Sequence, residues 1–339
     1  MNRTAFFCFS FLLLMVACAP RDEMTQLTGK AQGTTFSIKY HGESAPDLSE
    51  EVSRVLEEID LSMNLWREDS FISEINNSGD SLLQIPSKDV HFIPVFKSSY
   101  EVFRRTKGAF DPTVYPLVKV WGFGAIPPDA DTIPSVESLL AHHHIGEWKM
   151  HIAAIGPEIA LVKPAETQVD FNGIAQGYSV DALGALLEEE GIQNYMIELG
   201  GEVLVKGQKL DGSPWSIGIE KPQEGEREIL KKLELHDESI ATSGSYRKYQ
   251  ERDGKRFSHC IDPRSGYPVN HSLLSVTVIA PTAMEADAYA TAFLVMGVEE
   301  SLAMLNKGLG ESMEVLFIYD ENGENRMKGT GRFSDVNAD

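Results

Sequence analysis

The chain has 339 residues, 42% of them hydrophobic and 24% charged, which is the composition of a folded globular protein with one large or two moderate domains. Its formal net charge of −21 at pH 7 excludes the basic face that a nucleic-acid-binding protein needs. With this charge, an anionic ligand requires local help from a metal ion or from backbone N–H groups.

The first segment is predicted to be an export signal. A short cationic start precedes the apolar run Phe6–Val16, which is too short to span a membrane comfortably. Residues 14–18 then resemble the end of a bacterial lipoprotein signal, in which the cysteine becomes the lipidated first residue. We therefore expect a signal peptide over residues 1–17, lipidation at Cys18, and an exported protein anchored on the periplasmic side of a membrane, with the inner membrane favoured. An ordinary signal peptide cleaved at a neighbouring alanine is the alternative.

Cysteine usage excludes a disulfide framework in the exported protein. Beyond Cys8 and Cys18 only Cys260 remains, so the sequence has neither an internal cysteine pair nor a cysteine-based metal cluster. Residues 18–28 are predicted to form a polar tether. The folded domain is expected over residues 29–335.

The first elements of the domain alternate between strand and helix patterns. A strand is expected over Gly33–Tyr40, and apolar residues at helical spacing predict an amphipathic helix over Leu48–Met63. A short helix follows, capped by Asp69 or Ser70. Just before it, Trp66 is interpreted either as a core side chain, the more usual fate of tryptophan, or as a surface for a flat ring.

A further helix is expected over Val90–Thr106, with Gly108 at its C-terminal cap. In the loop that follows, Pro112 forces an extended or turn conformation on Asp111. We expect the side chains of Phe110 and Asp111 to be exposed, which makes the loop a candidate ligand contact. Its composition is equally that of an ordinary helix stop.

The middle of the chain contains a strand-to-helix transition over Val169–Asp181. Gly173 and Gly177 allow the backbone to approach a neighbour closely. The spacing of the glycines matches neither the dinucleotide-binding fingerprint nor a P-loop, so both are excluded. The consecutive histidines at 142–144 do not share one face and are interpreted as surface residues rather than ligands.

The next part is predicted to be mostly strand. A hairpin is expected over Tyr195–Val205 with its corner at Gly200-Gly201, followed by a strand at Trp215–Glu220. Hydroxyl side chains, Ser243 among them, surround a tight glycine corner. His259 lies at a strand end beside a turn, and a lone histidine in such a place is more often structural or exposed than catalytic.

The clearest local pattern is the strand Leu274–Ala280 followed by a helix of small residues. Thr282 is the predicted N-cap of that helix. Asp287 and Thr291 are four residues apart, so they share one helix face. There they present hard oxygens suited to a Mg²⁺-sized cation. If this segment is considered alone, the more ordinary interpretation is structural: Asp287 is an acid in the first turns of the helix, and the Thr291 hydroxyl bonds back to the helix backbone.

These stretches, in this order over nearly the whole mature chain, resemble the ApbE family of flavin transferases, the FAD:protein FMN transferases. The matching stretches are Gly33-Thr34, Met63–Trp66, Ser73–Asn76, Gly108–Thr113, Trp121–Gly124, Asp170–Tyr178, Gly200-Gly201, Ala241–Gly244, Ser258–Pro268, and Ala280–Asp287 with Thr291. Each is short, but the ordered set is specific. The resemblance implies an α+β fold: a single ApbE-like catalytic domain of mixed sheets flanked by helices.

The resemblance also implies a site for FAD as substrate and for Mg²⁺ as cofactor. The residues implied to line the FAD site are Gln32, Trp66, Ala109, Phe110, Asp111, Asp170, Gln176, Ser243, His259 and Ile261. The implied Mg²⁺ ligands are Gly173 (through its carbonyl), Asp287, Ala290 and Thr291, with phosphate oxygens completing the shell. The chain departs from the family at Gln32, where a methionine is common, and at Gln176, where lysine or glutamate is frequent.

The implied reaction is transfer of FMN from FAD to a Thr or Ser hydroxyl of an acceptor protein, with release of AMP. Mg²⁺ across the phosphates offsets the charge on the leaving oxygen, and His259 and Asp287 are the predicted catalytic residues. The expected acceptors are exported flavoproteins, such as subunits of sodium-pumping NADH:quinone reductase or Rnf-type electron carriers.

Two other functions need nearly the same residues. One is Mg²⁺-dependent hydrolysis of FAD to FMN and AMP, in which water replaces the acceptor hydroxyl. The other is a periplasmic flavin-binding lipoprotein without turnover, which the completeness of the motifs disfavours. A purely structural lipoprotein is the least consistent with this order of glycine-, aspartate- and threonine-rich corners.

Overall fold

A computed structural model describes residues 23–43, 45–124, 135–140, 149–152, 159–165, 167–223, 228–245, 249–252, 255–309 and 312–338. The predicted signal peptide, Cys18 and the histidines at 142–144 lie outside the described residues. The strands are β1 (Thr25–Ala31), β2 (Thr34–His41), β3 (Leu82–Ile85), β4 (Lys149–Ile152), β5 (Ile159–Val162), β6 (Asn194–Leu199), β7 (Glu202–Lys206), β8 (Trp215–Glu220), β9 (Ile229–Leu235), β10 (Ser239–Gly244), β11 (Tyr249–Arg252), β12 (Lys255–Ser258), β13 (Ile261–Asp262), β14 (Tyr267–Pro268), β15 (Leu273–Ala280), β16 (Glu314–Glu321) and β17 (Glu324–Gly329). The helices are α1 (Ser49–Met63), α2 (Phe71–Asn77), α3 (Phe92–Thr106), α4 (Tyr115–Val120), α5 (Val136–Leu140), α6 (Ala175–Glu189) and α7 (Ala283–Leu305), with 3₁₀ helices at Pro112–Val114 and Gly331–Ala338.

The largest sheet is antiparallel throughout, in the order β1-β2-β6-β7-β10-β15-β16-β17. Both faces of its centre are covered. Alternate residues of β15 and β16 belong to two cores: Val278 and Phe317 face the helices, whereas Ile279 and Ile318 face the opposite side. This double burial explains why β15 is almost continuously apolar rather than alternating.

The helical layer on one face of the sheet contains α6 and α7, which pack against each other and against the central strands. On the other face, the β8–β9 hairpin and the C-terminal 3₁₀ helix cover a smaller core that includes Trp215 and Phe333. Among the described residues, α7 is the one helix long and apolar enough to cross a membrane. Most of it is buried inside the protein, as expected of a core helix, and Gly297 interrupts it with a φ of 74°.

The structure confirms the predicted α+β fold and its main local elements. Helices α1, α2 and α3, the hairpin β6–β7 and the β15–α7 unit all form where the sequence predicts them. Ser70, rather than Asp69, caps α2, since its Oγ accepts from the N–H of Ser73 at 3.2 Å. Thr282 caps α7 by accepting from the N–H of Glu285 at 3.2 Å.

Two predictions of local structure were wrong. The predicted tether over residues 18–28 overlaps β1, because residues 25–31 pair with β2 across a turn at Gln32-Gly33, where both φ angles are positive (50° and 72°). Because β1 is an edge strand and every second side chain is exposed, its sequence is polar and resembles that of a tether. The strand expected at Val169 does not form. Instead the Asn76 side chain hydrogen-bonds both the N–H and the C=O of Val169, at 2.7 and 2.8 Å, and replaces a strand partner.

Candidate functional site

The candidate site lies where the N-terminal turns of α6 and α7 meet. Each helix caps the other: the N–H of Gly177 on α6 donates to Asp287 Oδ2 of α7 at 3.1 Å. Asp181 of α6 in turn accepts from the N–H groups of Ala283 and Met284 on α7, at 2.8 and 2.9 Å. Helix N-termini carry positive partial charge, and this arrangement brings two of them together, with their N–H groups bonded to the carboxylates of Asp287 and Asp181.

Gly177 makes this close contact possible. A methyl group built on Gly177 would lie 2.3 Å from the carbonyl oxygen of Ala283 and 2.8 Å from Cβ of Asp287. Both distances are far shorter than van der Waals contact. The prediction that this glycine permits a close approach is confirmed, and the structure identifies the first turns of α7 as the neighbour.

Around Thr291, one helical turn beyond Asp287, several predicted site residues come together. Ser243 Oγ, at the end of β10, lies 3.3 Å from Thr291 Oγ1. A side chain at Gly173 would meet Thr291 Oγ1 at 3.2 Å and the ring of Phe110 at 3.4 Å. The absence of a side chain at Gly173 therefore leaves space beside the threonine hydroxyl. Ala290 is fully buried in α7, and its methyl group offers no donor atom to a metal.

Two buried carboxylates dominate the electrostatics of the site. Asp287 and Glu202 are only 6% and 7% exposed. Burial raises the pKa of Asp287 well above its ordinary value; the N–H of Gly177 opposes this shift and the charge of Asp181 adds to it. Burial raises the pKa of Glu202 as well, and the charge of Asp287 adds to that shift. Glu202 Oε2 has no hydrogen-bond partner among the described residues.

Glu202 was not among the site residues predicted from the sequence. A signal was available, since the acid stands at a buried position at the start of an apolar strand, immediately after the Gly200-Gly201 corner. Only the fold brings it towards α7. A methyl group on Gly200 would lie 2.9 Å from Gln176 Nε2 and 3.1 Å from Glu202 Oε2, so the hairpin corner and the first turn of α6 share one small space.

These residues fit a hard divalent cation such as Mg²⁺. The donors are the buried Asp287 carboxylate and the Thr291 hydroxyl, both of the oxygen type that Mg²⁺ prefers. A cation there would offset the repulsion and desolvation that raise both carboxyl pKa values. Within the described ranges, no three His, Cys, Asp or Glu side chains cluster closely enough to form a cage. Mg²⁺ ordinarily takes its remaining ligands from water and substrate phosphates.

The loop at 109–111 contributes by packing, and the expectation that it is exposed was wrong. Ala109, Phe110 and Asp111 are all buried. Asp111 Oδ1 caps the following 3₁₀ helix by accepting from the N–H and hydroxyl of Thr113, at 2.9 and 2.7 Å. The 109–111 loop therefore packs against the segment that leads into α6, and the Phe110 ring lies next to Gly173.

Gln32 and Asp170 lie at two other edges of α6. The Gln32 amide donates to Ser179 Oγ at 2.7 Å, and Ser179 Oγ itself donates to the Ala175 carbonyl at 2.8 Å. The buried Oε1 of Gln32 therefore remains without a partner among the described residues. Asp170 Oδ1 accepts from the N–H of Asn172 at 2.7 Å, and burial raises the pKa of Asp170 to about 6.

Trp66 and His259 stand on separate elements. Trp66, between α1 and α2, is 63% exposed, so its interpretation as a core side chain was wrong, and a role against a flat ring stays a prediction. His259 follows β12, is half-buried, and has its ring centroid 6.3 Å from that of Phe123. Ile261 is buried in β13, which lies against α7.

The His259 segment is tied to the 108–123 region. Trp121 Nε1 donates to the Gly266 carbonyl at 2.9 Å. A methyl group on Gly108 would sit 3.7 Å from Cγ of Arg264. The 109–111 loop belongs to this region, and its Phe110 ring lies beside Gly173, which in turn neighbours Thr291.

The chain is similar in sequence to a known family of proteins. Residues 32–317 match the model of the ApbE family. The chain is 40% identical over 299 residues to the FAD:protein FMN transferase of Vibrio cholerae, covering 86% of this chain and 87% of the relative. It is 35% identical over 305 residues to the FAD:protein FMN transferase of Haemophilus influenzae, covering 87% of each.

Solved structures agree with these relatives. The flavin transferase ApbE from Vibrio cholerae superposes with a TM-score of 0.79 at 35% identity, covering 93% of this chain and 99% of that one. The flavinyl transferase ApbE of Pseudomonas stutzeri, in its apo form, gives a TM-score of 0.79 at 32% identity, covering 94% and 98%. Because the family model and these relatives each span most of the sequence, the chain belongs to the ApbE family.

Proposed function

We propose that the chain is an FAD:protein FMN transferase, which moves FMN from FAD to a Thr or Ser hydroxyl of an exported acceptor flavoprotein and releases AMP. The observation that carries the proposal is the Asp287–Thr291 pair at the junction of two helix N-termini, beside the space that Gly173 leaves open. Curated relatives at 35–40% identity bear this name.

The site suits the diphosphate of FAD. The N-termini of α6 and α7 supply positive partial charge, which favours anionic phosphate. Because their N–H groups already bond Asp287, Asp181 and Thr282, the phosphates would be held mainly through the cation. This local help is needed, because a net charge of −21 disfavours an anion at long range. A flat ring would lie against the exposed face of Trp66, and the free Oε1 of Gln32 is an acceptor for an N–H of the ligand.

The proposed reaction assigns a role to each of the predicted catalytic and metal-binding residues. The acceptor hydroxyl oxygen attacks the phosphorus on the FMN side of FAD, and the bond from that phosphorus to the bridging oxygen breaks. AMP leaves with the bridging oxygen and its electron pair, while the hydroxyl proton passes to His259 as general base, a role that histidine side chains commonly take. Asp287 and Thr291, with the Gly173 carbonyl, would hold Mg²⁺, which offsets the charge that develops on the phosphates.

The proposed cellular location is based on the lipoprotein-like sequence motif at Cys18. A lipidated Cys18 would anchor the protein on the periplasmic side of the inner membrane. Exported flavoprotein subunits, such as those of sodium-pumping NADH:quinone reductase or Rnf-type carriers, would be in reach there.

Mass spectrometry of an acceptor domain incubated with the protein, FAD and Mg²⁺ tests the proposal. The expected result is covalent FMN on a Thr or Ser of the acceptor, together with AMP, and neither product with an Asp287→Asn variant. An acceptor in which that Thr or Ser is replaced by alanine is the matched control and should stay unmodified. AMP release that is equally fast without acceptor would instead identify an FAD hydrolase. A stable FAD complex that never yields AMP would identify a flavin-binding protein.

A further inference from the structure

Glu202 is a buried acid for which the fold alone gives no reason. It is the first residue of β7 and pairs with Leu199 across the hairpin. Because side chains alternate along a strand, Glu202 and Leu204 share one face, and Leu204 packs against the core on the helix side. Val203 and Val205 belong to the core on the other face. Glu202 therefore points from the sheet towards α6 and α7.

The surroundings of Glu202 leave one of its oxygens unused. Oε2 has no hydrogen-bond partner among the described residues, although the side chain is 7% exposed. Leaving a buried carboxylate oxygen unpaired costs free energy, and the cost grows when a second buried carboxylate stands nearby. Asp287 is that second carboxylate, and its charge acts on Glu202.

A purely structural acid would be expected to have a cationic or donor partner. Here the neighbour on the α6 side is the amide of Gln176, which lies near Glu202 Oε2 beside Gly200 without a hydrogen bond between them. On the α7 side, the charge of Asp287 acts on Glu202. Gln176 is in the first turn of α6, so the space beside Glu202 Oε2 adjoins the helix N-termini, where the proposed substrate places its phosphates. Among the described residues, no cationic side chain offsets the charge of Glu202.

We propose that Glu202 is a further residue of the cation site: its free oxygen faces the ion that Asp287 and Thr291 hold, and binds it directly or through one ion-bound water. The inference rests on the proposed function, since it concerns the same ion. It makes the site a two-carboxylate site, with one acid from α7 and the other from the hairpin corner after Gly200-Gly201.

The test uses Mn²⁺ alone as a spectroscopic substitute for Mg²⁺, with the full chain and no FAD. Binding is measured by electron paramagnetic resonance for the wild type, Glu202→Gln, Glu202→Asp and Asp287→Asn. Glu202→Gln should weaken Mn²⁺ binding by about 10- to 100-fold, the range found when groups that support a metal's ligands are removed. Glu202→Asp keeps the charge and should recover part of that loss.

Glu198→Gln is the matched control. Glu198 lies on the same hairpin and accepts from the N–H of Gly201 at 3.1 Å. It pairs with Val203, so it points away from the helices. The variant loses the same formal charge, and the charge of Glu198 also acts on Glu202, but the Glu198 carboxylate lies on the opposite face of the sheet and cannot bind the ion. Glu198→Gln should therefore bind Mn²⁺ within about twofold of the wild type.

Unfolding in urea without metal separates a binding role from a folding defect. Glu202→Gln should be at least as stable as the wild type, because the change removes a buried charge. Wild-type Mn²⁺ affinity in Glu202→Gln, together with its loss in Asp287→Asn, would overturn this inference and leave the proposed transferase intact. Retention of Mn²⁺ by Asp287→Asn would overturn the cation site itself.

Discussion

Replacing Gly177 by alanine tests the contact on which the site geometry depends. The added methyl group would lie 2.3 Å from the Ala283 carbonyl oxygen and 2.7 Å from the Ala283 carbonyl carbon. These are backbone atoms of α7, so they cannot rotate away as a side chain does. The two helices must separate, and the bond from the Gly177 N–H to Asp287 must lengthen.

The size of the effect follows from two opposing terms. Alanine in a helix interior is favoured over glycine by about 1 kcal/mol. Overpacking a filled site costs typically 1–3 kcal/mol, and a clash with backbone falls at the upper end. The net expectation for Gly177→Ala is a loss of roughly 2 kcal/mol in the free energy of unfolding.

Gly184→Ala on the same helix is the control. The atoms nearest to a methyl group there all belong to side chains: Leu204 Cδ2 at 2.6 Å, the far end of a flexible side chain, and the Tyr195 hydroxyl oxygen at 3.1 Å. The helix gain of about 1 kcal/mol should then offset most of the packing cost. Urea unfolding of both variants, with Mn²⁺ affinity as a second readout, makes the comparison. If Gly177→Ala were as stable as Gly184→Ala and bound Mn²⁺ normally, the close-contact explanation would be refuted.

Three other predictions concern single side chains. Trp66→Ala should change the free energy of unfolding by less than about 0.5 kcal/mol, since the residue is 63% exposed, but should weaken FAD binding about tenfold in calorimetry; an unchanged FAD Kd would remove Trp66 from the site. Asp181→Ala should cost about 0.5–2 kcal/mol in urea unfolding at pH 7.5, because two N–H groups of α7 lose their cap; a loss near zero would contradict the reciprocal capping. Burial raises the pKa of Asp170 and of Asp181 to about 6, above the ordinary value near 3.9, so the folded state binds more protons between pH 4 and 6. The free energy of unfolding should therefore fall as pH rises through that window, with a shallower slope in Asp181→Asn; an unchanged slope would show that Asp181 is not responsible.

The sequence by itself determined the elements that depend on near neighbours. The caps at Ser70 and Thr282, the Gly200-Gly201 corner and the β15–α7 unit follow from residues within four positions of one another. The spacing of Asp287 and Thr291 on one helix face is likewise a property of the helix period. The order of such motifs was enough to predict the family.

Burial and long-range pairing were decided only by the tertiary structure. Gly177 and Asp287 are 110 residues apart, and Asp181 and Ala283 are 102 apart, so no local pattern predicts that α6 and α7 cap each other. The same reason explains the errors. The glycine-flanked segment around Phe110 has the composition of an exposed loop, but the entry to α6 packs against it and buries Phe110. Tryptophan is usually a core residue, but no element packs over most of Trp66, and it is exposed. The backbone conformation of a segment depends on its own residues, whereas its exposure depends on which distant elements pack against it.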